Sequence, residues 1–193
     1  MKLNSRSSLF SLVVVLLVIS QNKAFTQADP EVFTAKNAVF VELLGNSAGY
    51  GLNYGRIFHQ KNRMKISGSV GFSALYQKPV EFVHSSYWIP AFASEVTAFF
   101  GKSRHHLEYG AGFFTFQDRD FIFDTSVPGN HREEAYWDAT INARIGYRYQ
   151  KPEGGFFFRA GYTPWVTFFN SKNAEKPVDF FPFGVGISLG VSF

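Results

Sequence analysis

The chain has 193 residues, no cysteine, and 19 Lys and Arg against 15 Asp and Glu, a formal net charge of +4. The absence of cysteine excludes disulfides, thiolate metal sites and lipid attachment behind an export signal. The basic excess does not mark a nucleic-acid binder: Lys2, Arg6 and Lys23 lie in residues 1–28, which hold no acid, so the remainder carries only +1 and no basic stripe.

The first residues read as an export signal. Lys2 and Arg6 precede an apolar run from Leu9 to Ile19, and a polar stretch then ends in Thr26-Gln27-Ala28. A membrane helix needs ~20 apolar residues, so the run is too short to span and has the length of a signal-peptide core. The expected division is a signal peptide over 1–28 cleaved near Ala28, a short periplasmic leader over 29–36, and one β domain over 37–193.

From Asn37 onward, apolar residues alternate with small or polar ones in segments separated by turn chemistry. The first segment, Ala38 to Leu44, sets Val39, Val41 and Leu43 against Phe40, Glu42 and Leu44, and Gly45-Asn46-Ser47-Ala48-Gly49 turns the chain. The second sets Tyr50, Leu52, Tyr54 and Phe58 outward against Gly51, Asn53, Gly55 and Ile57, and the third sets Ile66, Val70, Phe72, Ala74 and Tyr76 against Lys65, Ser67, Ser69, Gly71 and Ser73. In the fourth, Trp88, Phe92, Val96, Ala98 and Phe100 oppose Ala93, Glu95, Thr97 and Phe99. In the fifth, Leu107, Tyr109, Ala111 and Phe113 oppose His106, Glu108, Gly110 and Gly112. A long charged break is expected from Asp118 to Glu134, around Pro128-Gly129-Asn130. The sixth segment has the clearest interior pattern: Trp137, Ala139, Ile141, Ala143, Ile145 and Tyr147 alternate with Asp138, Thr140, Asn142, Arg144, Gly146 and Arg148. The seventh sets Phe156, Phe158, Ala160 and Tyr162 against Phe157, Arg159, Gly161 and Thr163. Pro164 then predicts a bulge or the membrane edge, because it cannot donate to the ladder. A polar connection, Asn170 to Asp179, leads to the closing strand, whose Val185, Ile187, Leu189, Val191 and Phe193 back onto Gly184, Gly186, Ser188, Gly190 and Ser192.

An oily outside and a small polar inside fit a strand that faces lipid on one side and a lumen on the other. The expected fold is therefore all-β: a closed antiparallel transmembrane β-barrel of about eight strands in an up-and-down meander. Connections after strands two, four and six are short and those after three, five and seven are long, which puts both chain ends inside. The brief first connection is the exception. Outward aromatics form two expected girdles, Tyr50, Trp88 and Trp137 at the outer end and Phe58, Phe100, Tyr147, Phe156 and Phe193 at the inner end.

Parity sends Glu42, Glu95, Glu108 and Asp138 inward together with Lys65, Arg144, Arg148 and Arg159. An eight-stranded barrel is wide enough only for its own side chains. Glu42, Glu95, Glu108, Asp138, Arg144 and Arg159 are thus the expected lumen charge cluster, with Arg144 and Arg159 opposite one another across a turn at Gln150 to Glu153. Buried charges persist when paired, so the cluster reads as a plug. A gated pore or a proton-binding switch is the alternative, which conductance separates from the plug. His105 and His106 point to opposite faces and are poorly placed to share a metal. His84-Ser85-Ser86, in an expected external loop, lacks the base and orienting group in sequence that a nucleophile requires. No phosphate loop, zinc spacing or nucleophile elbow occurs, and no catalytic residue, metal or cofactor is expected.

The export signal, the aromatic-rich strands, the opening hairpin from Val41-Glu42-Leu43-Leu44-Gly45 to Leu52-Asn53-Tyr54-Gly55 and the terminal Phe193 resemble small outer-membrane β-barrel proteins, particularly those common in Bacteroidetes-type bacteria. The resemblance covers essentially the whole mature chain and concerns architecture rather than activity. It implies residence in a Gram-negative outer membrane, contact with outer-membrane lipid, and engagement of the barrel-assembly machinery through the last strand, with Phe193, Val191 and Leu189 as the assembly signal. The implied role is non-enzymatic: structural, surface-interaction or narrow, porin-like transport. A lipid-modifying barrel enzyme of the lipid A deacylase or acyltransferase type is the alternative, and it requires a His, a nucleophile and an acid to converge on the outer lipid-facing rim. A soluble secreted barrel is a third reading, which fractionation decides.

Overall fold

The computed structural model describes residues 32–47, 49–78, 86–123, 131–172 and 178–193, with the side chains of all of these but 120–123 and 131–133. The expected signal peptide, the start of the leader, the His84-Ser85 pair and the Pro128-Gly129-Asn130 turn lie outside the described residues.

The strands are β1 (Asn37–Leu44), β2 (Tyr50–Lys61), β3 (Met64–Gln77), β4 (Tyr87–Lys102), β5 (His105–Phe123), β6 (His131–Gln150), β7 (Gly155–Tyr162), β8 (Trp165–Asn170), β9 (Asp179–Phe181) and β10 (Val185–Ser192), and a 3₁₀ turn over Gly45–Ser47 follows β1. Both β7 and β8 pair with β6, while β10 pairs with β7 and β9 with β8, so ten segments make eight staves. All pairings are antiparallel, and the ring closes through β1 with β10 and β5 with β6. The fold is a closed, eight-stave antiparallel barrel.

Alternation is what closes it this way. In β10, Val185, Ile187, Leu189 and Val191 are exposed while Gly186, Ser188 and Ser192 are buried, and β2 keeps the same rhythm from Tyr50 to Phe58. A closed sheet pairs its backbone groups within itself, the condition for placing strands in hydrocarbon. The eight residues of β10 with Phe193 match the ~9–11 residues that a tilted strand needs to cross.

Three local expectations change. First, the break over Asp118 to Glu134 is mostly strand: β5 runs to Phe123 and β6 begins at His131, its register partner. The charges do not end these strands, because an antiparallel ladder is held by backbone hydrogen bonds, which charged side chains leave in place. Second, Pro164 carries no bulge in register, since Tyr162 stands opposite Ile145 and Trp165 opposite Asn142. Pro164 supplies its carbonyl to the Ala143 N–H (3.1 Å). The bulge comes four residues on in β8, where Ala139 pairs with Phe169 but Thr140 with Thr167, leaving Phe168 as the extra residue; the offset also changes by one across Pro182 to Gly184, between the Trp165–Phe181 and Tyr162–Val185 pairs. Third, the connection after β1 folds inward: Leu44 and Gly45 both have φ of 58°, which turns Gly45, Asn46 and Ser47 into the lumen as buried residues and leaves Leu44 exposed rather than inside.

Candidate functional site

Halfway along the lumen, Glu42, Ser188 and Arg159 stand abreast on β1, β10 and β7. The Ser188 hydroxyl joins them, donating to Glu42 Oε1 (3.4 Å) and accepting from Arg159 Nε (3.4 Å). Arg159 Nη1 donates to Glu95 Oε2 (2.8 Å) and Glu108 Oε1 (3.2 Å), and Nη2 to Glu42 Oε1 (3.3 Å). Arg144 donates through Nε to Glu95 Oε1 (2.5 Å) and through Nη2 to Glu42, while Arg148 donates through Nε to Glu108. Three carboxylates and three guanidiniums thus alternate around the lumen, and each of the six is at most 4% exposed. The guanidinium fork suits such sharing, because its donors reach several acceptors in one plane.

Aromatic rings lie beneath the charges. The Arg148 guanidinium sits 4.2 Å from the Phe99 ring centre and 5.4 Å from that of Phe157, and the Arg159 guanidinium sits 4.7 Å from that of Phe40. Phe40 and Phe157 stack with centres 5.0 Å apart. The cavity bordered by Phe40, Arg148, Phe157 and Arg159 has a volume of only about 10 Å³, room for about one water.

Below this layer, Phe33 to Ala35 close the mouth at the end of the barrel that carries the short turns. Phe33 is 1% exposed and meets Phe99 and His106 edge-on, with centres 6.0 and 5.4 Å away. Backbone N–H groups of Thr34 and Ala35 donate to Pro152 O (3.0 Å each), Phe33 N–H donates to Gln60 Oε1 (2.9 Å), and Gln150 Nε2 donates to Ala35 O (3.3 Å). On the opposite side of the charges, the inturned 3₁₀ turn covers them: Ser47 donates to Glu42 Oε2 (3.2 Å), Asn46 Nδ2 to Ser94 O (3.0 Å), and Asn142 Nδ2 to Asn46 Oδ1.

Of the charges expected to cluster, Glu42, Glu95, Glu108, Arg144 and Arg159 come together. Asp138 does not join them. It is inward but six residues along β6 from Arg144, roughly 20 Å of strand, and accepts from Asn170 Nδ2 (2.6 Å). Arg148 takes the remaining place through Glu108. The expected pairing of Arg144 with Arg159 is also corrected, since Arg148 is the register partner of Arg159. The β6–β7 connection is wider than a four-residue turn, with Gln150 opposite Phe157. Lys65 lies lower, donating to Gly101 O (3.2 Å) beside Phe33. His106 is buried in the lumen and His105 is exposed, its ring 2.6 Å from Tyr147 Oη, so the two do face apart. Leu189, Val191 and Phe193 are exposed on the outer face, and Phe193 exchanges both backbone hydrogen bonds with Asn37 (2.9 Å each). Sequence reasoning missed the two seals. A lone Phe33 in a polar leader, and a Gly-Asn-Ser turn beside a strand of small inward residues, were the available signals.

A closed antiparallel barrel, apolar outside and ion-paired inside, has the architecture of an outer-membrane-type β-barrel. No family model and no curated protein matches the chain. A solved structure similar to it is the N-terminal β-barrel domain of Pseudomonas aeruginosa OprF, at 14% identity and a TM-score of 0.43, covering 86% of this chain and 100% of that one.

Proposed function

We propose that the chain is an integral outer-membrane protein whose lumen is closed to ions, and that it acts as a structural or surface-interaction element. The observation that carries this reading is the six-charge network held between two seals: a conducting path would have to displace guanidiniums that are buried and ion-paired on several sides. Membrane residence is supported by the outer face, where Val70, Phe72, Phe92, Val96, Ile145 and Ile187 are all exposed, a continuous apolar surface that a water-soluble monomer rarely carries. Exposed Tyr50 and Trp88 at one end, with Phe58, Tyr147, Phe156 and Phe193 at the other, are consistent with interfacial girdles. Both described chain ends lie with the short turns, the periplasmic side in this reading. The outward Leu189, Val191 and Phe193 then offer the assembly machinery its signal.

Fractionation tests the proposal. The chain is expected in the outer-membrane fraction, resistant to a high-pH wash and released by detergent, and Phe193→Ala is expected to lower the folded yield there. Recovery of folded protein from the soluble fraction would overturn it.

A further inference from the structure

On the side of the charge network away from Phe33, the lumen is not filled. A cavity of about 230 Å³ lies between Phe114 and Phe116 on β5, Thr140 and Asn142 on β6, and Trp165 and Thr167 on β8, and reaches Gly45. The rings set its character. Phe114 and Phe116 pack on one another at 5.6 Å between centres, and Trp165 is stacked at 4.3 Å on Phe181 of β9. Two of the polar side chains are spent in the wall: Thr140 donates its hydroxyl to Phe114 O (3.3 Å) and Asn142 donates Nδ2 to Asn46 Oδ1. The Asn142 carbonyl oxygen is turned against Gly112, whose added Cβ would lie 2.7 Å from it. None of the lining side chains is charged, and Phe114 continues into a buried apolar cluster with Ala91 and Ala93.

The second observation is a notch in the wall beside this cavity. The β1–β10 ladder stops at the Leu44–Gly186 pair and the β2–β3 ladder at Leu52–Phe72, so residues 73–77 of β3 are laddered to β4 alone. On the other side, β9 is laddered to β8 alone. Between these two edges, among the described residues, the wall drops to the connection after β1, whose Gly45–Ser47 turn folds inward, and Tyr50 Oη reaches across to Ala74 O. The cavity meets the notch at its foot, through Gly45, and at its β9 margin, through Trp165 stacked on Phe181. Outward side chains beside the notch are apolar and exposed: Leu43 and Leu44 on β1, Phe180 on β9 and Phe183 after it. One step further along the inward rows of β5 and β6 stand Asp118 and Asp138, which accept from Tyr87 Oη (3.1 Å) and Asn170 Nδ2 (2.6 Å). The apolar cavity therefore has a polar rim.

From this we propose that the cavity takes one linear hydrocarbon tail, the alkyl or acyl chain of a membrane amphiphile that enters through the notch and leaves its polar head at the rim. A tail gains by leaving water and has no hydrogen bonds to give up, whereas a polar or charged ligand would lose its hydration and find few partners on this lining. The apolar outer surface beside the notch is where lipid chains lie in a membrane barrel. Size limits the occupant to a short length of chain, because the cavity is smaller than the ~300–1,000 Å³ of pockets for drug-sized molecules. Delivery from the bilayer rests on the membrane residence proposed above, whereas binding by the purified barrel does not, so the two readings fail separately.

The test uses the purified full barrel in a fluorinated surfactant, whose tails mix poorly with hydrocarbon and so compete little for the site. Straight-chain 1-alkanols of increasing length are titrated by calorimetry and tryptophan fluorescence, with glucose as the polar probe. Saturable binding is expected, with affinity rising about fourfold per added methylene (~0.8 kcal/mol) until the cavity is full and then levelling off. Thr167→Trp, which fills the cavity, is expected to weaken binding about tenfold or more (~1.4 kcal/mol). Trp165→Ala should move the levelling-off to longer chains, and the lipid-face control Trp88→Phe should change neither quantity. If Thr167→Trp does not fold, the shift in Trp165→Ala decides alone. Absence of saturable binding, affinity indifferent to chain length, both cavity variants behaving as the parent, or glucose binding as well as the alkanols would each overturn the proposal.

Discussion

Replacing Glu95 by Gln removes one negative charge while keeping nearly the same shape, so no cavity complicates the result. Glu95 accepts from Arg144 Nε at 2.5 Å and from Arg159 Nη1 at 2.8 Å. The three acids and three arginines balance in the parent; the variant leaves one guanidinium charge uncompensated where almost no water reaches. One pair ~4 Å apart at an effective dielectric of ~20 is worth ~4 kcal/mol. Two such contacts are lost, partly offset because the burial penalty of the Glu95 charge disappears as well. Broken buried pairs elsewhere cost ~3–5 kcal/mol, which is the loss expected here. Equilibrium urea unfolding of the barrel in lipid vesicles, followed by tryptophan fluorescence, measures it. Asp138→Asn is the comparison: Asp138 is inward but outside the network and holds one Asn170 hydrogen bond, so ~1 kcal/mol is expected. A Glu95→Gln barrel within ~0.5 kcal/mol of the parent would refute the account of the network as a mutually compensating unit.

Phe33→Ala should cost ~3–5 kcal/mol in the same unfolding assay, because a fully buried ring is removed from between Phe99 and His106. A loss below ~1 kcal/mol would mean that the leader does not seat in the inner mouth. Gly190→Ala should lower the folded yield, read as the heat-modifiable fraction on a gel, since the new Cβ meets Val39 O at 2.1 Å and Phe40 Cα at 2.6 Å, an overpacking penalty of ~1–3 kcal/mol or more. Ile187→Ala on the exposed face should fold nearly as well as the parent; equal yields for both variants would contradict tight packing of β10 on β1.

How much of this was legible in the sequence depends on distance along the chain. The facing of Thr140 through Arg148 was readable because a strand's period of two is rigid and β6 obeys it there, whereas Ala139, expected outward, is buried where the register with β8 shifts. Which arginine faces Arg159 was not readable, because register is inherited from the geometry of the connection, and Gly154 and Gly155, with φ of 99° and 101°, shape a wider one than a four-residue turn. The inward fold of Gly45 to Ser47 depends on Gly186, whose added Cβ would lie 2.7 Å from Gly45 Cα. That contact joins residues far apart in sequence, and no local pattern announces it. Phe33 was hidden for a different reason: a single anchoring ring has no periodicity. The extent of β5 and β6 was masked by charge, which signals water and leaves the backbone free to remain extended.

The central claim, a lumen sealed by its own ion pairs, is tested most directly by planar-bilayer recording of the purified, folded parent barrel. No steady current above the bare-membrane baseline is predicted, and Phe33→Ala should stay closed as well, because the charge network above the inner mouth remains intact. A steady, ion-selective conductance from the parent protein, altered by Glu108→Ala, would contradict the account.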